Sequence, residues 1–151
     1  MGKKNKKNNS FKKGTYVERE LYTSRAYLSL TGFAPQLLLL FLGKRYRISG
    51  EFVNLHNITM TYAELENIFK KGNRNPMNEK KDGISRPRIT RAIDELLSKG
   101  FIEIVHHGGA YKQDKTQYAI IDDWRIWHKG LVFRKRPEDI RTRGYRKPKQ
   151  K

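Results

Sequence analysis

The chain contains no cysteine. Disulfides and thiolate metal sites are therefore excluded. Long apolar runs are also missing. The longest, Leu37–Leu42, lies between Pro35-Gln36 and Gly43-Lys44-Arg45, and it falls far short of the roughly 20 residues a membrane helix needs. The lysines near the N-terminus stand too far upstream, across polar residues, to form the charged end of a signal peptide. No membrane partner is expected, and the expected location is cytoplasmic. Negative charge is scarce: 15 Asp and Glu face 33 Lys and Arg, for a net charge of +18. Hydrophobic residues make up 36% of the chain, less than a compact domain usually carries.

The charge concentrates at the ends. Residues 1–14 hold six lysines and no acid, which reads as a disordered basic arm. Residues 129–151 hold ten basic and two acidic residues and read as a basic C-terminal tail. Residues 15–128 keep a charge of only +4 and suffice for one domain with one core. Clustered Lys and Arg gain free energy on a polyanion by releasing its condensed counterions. Nucleic acid is the expected partner for such arms. An anionic membrane surface and acidic proteins are the competing partners, and solubility alone is the bland explanation.

Along the middle, Arg25–Leu30 fits either a short helix or an extended segment. The first secure helix is expected from Thr31 to about Arg45, with Pro35 in its first turn, where a missing N–H costs little. Phe33, Leu37, Leu40 and Phe41 share one face, and Leu38, Leu39 and Leu42 fill the rest, so both sides should be covered. Gly50 marks a break, and Ile58–Met60 suits a short strand. Thr61-Tyr62-Ala63-Glu64 has the pattern of a reciprocal capping box. The helix it opens should run to about Lys70 and turn Leu65, Ile68 and Phe69 inward. Gly72–Gly83 is a polar loop. Ser85 should cap a third helix reaching about Lys99, with Ile89, Ala92, Ile93, Leu96 and Leu97 as its buried stripe and Gly100 as its stop. Phe101–Val105 and Gln117–Ile121 are β-type runs. They suit a hairpin whose tip is His106–Thr116.

The third helix carries the informative face. Opposite its apolar stripe lie Arg91 and Ser98, flanked by Arg88, Asp94 and Glu95, with Arg86 and Thr90 at the edge of the first turns. Arginine forks suit guanine edges, and Ser85, Thr90 and the first free N–H groups suit phosphate. A solvated surface helix is the alternative for such a face.

Ser85-Arg86-Pro87-Arg88-Ile89-Thr90-Arg91-Ala92-Ile93-Asp94-Glu95-Leu96-Leu97-Ser98-Lys99-Gly100-Phe101-Ile102 resembles the recognition-helix signature of bacterial winged-helix proteins. It is similar to MarR-type regulators and to winged-helix domains of phage and plasmid replication proteins. The resemblance covers about sixty residues, Ile58–Ile121. It implies an α+β, mainly α fold: a winged helix-turn-helix with a three-helix core, a C-terminal β-hairpin wing and flexible basic arms. It further implies that Arg86, Arg88, Thr90 and Arg91 face double-stranded DNA, next to the phosphate-suited Ser85, and that the wing tip carries Lys112 and Lys115. One departure stands out. The turn between the family's two helices usually has three or four residues, whereas Gly72–Gly83 inserts about a dozen, including Arg74, Lys80 and Lys81.

Other constellations are weaker. His106-His107 lacks the partners zinc requires, so no metal or cofactor is expected. Gly108-Gly109 lacks phosphate-loop spacing. Asp122-Asp123 suits the cap of a last helical turn. Trp124 and Trp127 suit packing against the first helix, with base stacking as the alternative. Tyr118 reads as core and Tyr111 as tip. No nucleophile–base pair or carboxylate cluster is readable, so no enzyme is expected. The expected function is sequence-specific double-stranded DNA binding by a nucleoid-associated protein. Transcription regulator and replication-associated protein of a mobile element are the two roles open. An RNA- or ribosome-associated binder is the alternative, and a homodimer is left open.

Overall fold

The computed structural model describes residues 14–72, 83–109 and 113–137. The N-terminal arm before Gly14, Arg74, Lys80 and Lys81 of the long loop, Tyr111 and Lys112 of the hairpin tip, and the tail beyond Pro137 lie outside the described residues.

The fold is α+β. Two short helices, α1 (Arg19–Thr23) and α2 (Arg25–Leu28), precede α3 (Ala34–Gly43). Two small hairpin strands follow, β1 (Arg47–Ile48) and β2 (Glu51–Phe52), and then β3 (Ile58–Thr59). Helices α4 (Tyr62–Gly72) and α5 (Arg86–Ser98) lead to β4 (Ile102–His106) and β5 (Gln117–Ile120), and a 3-10 turn spans Asp123–Ile126. β5 lies between β3 and β4, antiparallel to both. Ile58 therefore faces Tyr118, and Ile102 faces Ile120.

Burial follows the sequence periodicity closely in α5. Ile89, Ala92, Ile93, Leu96 and Leu97 are all buried, each large side chain contributing about 1.5–3 kcal/mol. They meet α3, whose Leu37, Leu38, Phe41 and Leu42 are buried. Phe41 sits edge-on to Tyr118 at 5.1 Å, which joins the helical layer to the sheet. The α3 helix is not covered all round, because Leu39 is exposed. On α4, Leu65 is buried and Phe69 packs edge-on against Phe33 at 5.0 Å, but Ile68 is exposed. An 11-residue helix turned toward a single layer has room for a narrow stripe only.

Three caps differ from expectation. Thr61 Oγ1 accepts the Glu64 N–H at 3.1 Å, but the Glu64 carboxylate does not return to the cap. It pairs with Lys44 Nζ at 2.7 Å, a charge-assisted bond that outcompetes a neutral backbone donor. Ser85 has the extended backbone of an N-cap but makes no side-chain cap bond. Pro87 lacks the N–H at one position a cap would serve, and the Arg88 N–H already donates to the Ser85 carbonyl at 3.0 Å. Asp122 likewise makes no cap. Its Oδ1 accepts from the Trp124 indole at 3.3 Å instead.

Trp124 is buried and stacks on Phe101, 6.1 Å between centroids. Trp127 is partly buried, and its indole donates to the Leu131 carbonyl at 2.9 Å. Both indoles thus serve packing. The chain then turns at Gly130 (φ +95°) and comes back to α5, where the Phe133 N–H donates to the Ser98 carbonyl at 2.9 Å. Residues 131–137 are therefore a strap laid on the domain, where the sequence reads as a flexible arm. Among the described residues, no helix is long and apolar enough to cross a membrane.

Candidate functional site

The site is built on α5, whose apolar stripe anchors it and so sets what its other faces present. Arg88 and Arg91 are exposed, and among the described residues neither has an ion-pair partner. With Ser85 and Glu95 they line a groove of about 340 Å³ that Thr31, Gly32 and Phe33 also line. Gly32, at φ +53°, turns the chain there into α3.

The two acids of α5 are occupied. Glu95 accepts from the Thr31 N–H at 3.1 Å and from Thr31 Oγ1 at 3.0 Å. It also pairs with Lys99 Nζ at 2.7 Å, and Lys99 donates in turn to the Ser29 carbonyl at 2.6 Å. Asp94 takes the Arg136 guanidinium at 3.1 Å. The carboxylates that a helical projection sets beside the arginines are thus compensated, Glu95 by Lys99 at the end of the same helix and Asp94 by Arg136 from far along the chain.

The remaining expected residues divide. Arg86 is exposed but pairs with Glu66 of α4 at 3.0 Å, which spends part of its charge. Thr90 is turned toward α4 and shares a 2.9 Å hydrogen bond with the Tyr62 hydroxyl. It is therefore a joint between α4 and α5, not an open contact residue. Lys115 stands exposed on the β4–β5 connection. The structure brings Ser85, Arg88 and Arg91 to one groove, and Lys115 is not among its lining residues. His106 Nε2 meets Asp114 Oδ1 at 2.6 Å across the hairpin. No group of three or more metal-ligating side chains occurs among the described residues.

A second cationic feature is absent from the sequence-based expectations. In β1–β2, Ser49 (φ +52°) and Gly50 (φ +91°) form the two-residue turn, a geometry that matches strand twist. The Arg45 and Arg47 guanidiniums each lie 4.3 Å from the centre of the Phe52 ring, and Arg47 also lies 5.5 Å from that of Tyr16. Arg45 donates to the Tyr16 and Leu42 carbonyls. Desolvation by burial lowers its pKa from the ordinary arginine value, which still leaves it cationic at neutral pH. The signal in the sequence was the Ser49-Gly50 pair between two β-type dipeptides.

Chemically, α5 offers two guanidinium forks on one exposed face, without ion-pair partners among the described residues, and a hydroxyl at its start. Such a surface suits phosphate oxygens and base edges. Among the described residues it assembles no nucleophile beside a base. No protein-family model, curated protein or solved structure matches the chain.

Proposed function

We propose that the chain is a winged-helix module that binds double-stranded DNA, with α5 entering the major groove and the β4–β5 hairpin lying beside it as the wing. The observation that carries this reading is the state of charge on α5. Arg88 and Arg91 are exposed and have no ion-pair partner among the described residues, while Asp94 and Glu95 are compensated. Supporting it is the order α3, β3, α4, α5, β4, β5, with β5 between β3 and β4. This order suits a helix-turn-helix followed by a wing. In this reading Arg88 and Arg91 address the bases, Ser85 and Lys115 address phosphates, and Arg86 is shared with Glu66. The role is that of a regulator or an accessory replication factor without catalysis.

The test is titration of fluorescent duplex DNA, selected from a random pool by the full chain, with structured RNA as competitor. Arg88→Ala and Arg91→Ala should each weaken specific binding by about 1–3 kcal/mol. Parental affinity in both variants, or a preference for the RNA, overturns the proposal.

A further inference from the structure

The strap 131–137 is fastened at several points. The Phe133 N–H satisfies the carbonyl of Ser98, the last residue of α5, one of the carbonyls that helix geometry leaves without a partner. Arg134 bridges two elements, with Nε 3.1 Å from Glu103 of β4 and Nη1 2.5 Å from Asp123 of the 3-10 turn. Gly100 makes room for this closure. A Cβ there would come within 2.6 Å of the Asp123 Cβ and 2.8 Å of the Phe133 ring. Beyond the clamp, Arg136 reaches Asp94 through two of its guanidinium nitrogens, Nε at 3.1 Å and Nη2 at 3.4 Å. Lys135 is exposed, with no ion-pair partner among the described residues.

Along α5 the arginines occupy the N-terminal half and the acids the C-terminal half. An uncompensated Asp94 would repel a phosphate chain that follows the helix past Arg91. The strap supplies the missing cation and a further free one next to it. From these observations we infer that the strap is part of the nucleic-acid surface, held there by Arg134 as a positioning residue. It neutralises Asp94 through Arg136 and presents Lys135 to the phosphate backbone of the duplex that α5 engages. This rests on the DNA-binding reading of α5 and extends it to residues outside the helix and the hairpin.

Releasing the clamp without removing a cation separates this role from bulk charge. The double variant E103Q/D123N makes the chain more positive by two charges and leaves Arg134 in place. Charge alone predicts tighter duplex binding in that variant. The strap predicts weaker binding, by about threefold at moderate salt, the scale of one or two exposed charge contacts. Equal or tighter binding overturns the inference. Should that variant melt near the assay temperature, a second pair decides. Arg136→Ala should weaken binding more than Lys129→Ala, which removes the same charge from an exposed site ahead of the strap, and Asp94→Asn added to it should restore most of the loss. A loss in Arg136→Ala no greater than that in Lys129→Ala, or no recovery on adding Asp94→Asn, also overturns it. If the parent binds duplex and Arg88→Ala weakens it while the clamp variants behave as parent, the strap inference alone fails. If the parent does not bind duplex, both fall.

Discussion

Tyr118 shows how one side chain couples the core to pH. Its ring is buried against Phe41, and burial pushes its hydroxyl from 10.0 up to about 12. Below pH 10 the folded and unfolded chains both keep the proton. Between about 10 and 12 the unfolded chain releases it first, so stability falls as pH rises through that window, by about 2–3 kcal/mol for a shift of this size. Tyr118→Phe keeps the edge-on ring contact and removes the proton. Urea unfolding at pH 9 and pH 11 should show a smaller alkaline loss in the variant than in the parent. An identical loss in both would mean that the hydroxyl is not held protonated by the fold.

At the scale of elements, the end of α5 is the joint on which helix, sheet and strap depend. The Phe101 N–H donates to Leu96 at 3.0 Å and the Gly100 N–H to Leu97 at 3.3 Å. This is the paired closure of a helix that ends in a left-handed residue. Gly100 supplies that conformation at φ +76°, and its missing side chain admits Asp123 and Phe133. Gly100→Ala therefore meets two costs: about 1–2 kcal/mol for a left-handed alanine and a further ~1–3 kcal/mol for overpacking. Thermal unfolding should register both as a lowered midpoint. A loss no larger than the left-handed cost alone would show that Asp123 and the strap yield freely at this point.

At the scale of the whole molecule, cationic charge is layered. Residues 15–128 carry a modest excess of +4, and residues 1–14 add six lysines. Each phosphate neutralised on duplex DNA adds about 0.9 to the dependence of log affinity on log salt. Deleting residues 1–14 should weaken binding to all sequences alike and flatten that slope, while the preference among sequences is kept. A slope unchanged by the deletion would place the arm away from the duplex.

Much of the architecture was legible in the order of residues, because short-range rules govern it. The 3.6-residue stripe of α5, the Pro87 start, the Gly100 stop and the two runs of the β4–β5 hairpin all follow from periodicity and turn chemistry. So did the exposure of Arg88 and Arg91, since an anchored stripe dictates what the opposite face presents. The rest depended on which distant groups met. Thr90 was lost to Tyr62, Arg86 was shared with Glu66, and the Thr61 box was left half made because Lys44 claimed Glu64. Residues 131–137 became a strap because Glu103, Asp123 and Asp94 awaited their arginines. Chain order by itself determined α3, α4 and α5, the buried stripe of α5 and the surplus of positive charge. Tertiary structure alone decided which of those charges stay free, because an ion pair between residues tens of positions apart exists only once folding brings them within a few ångströms.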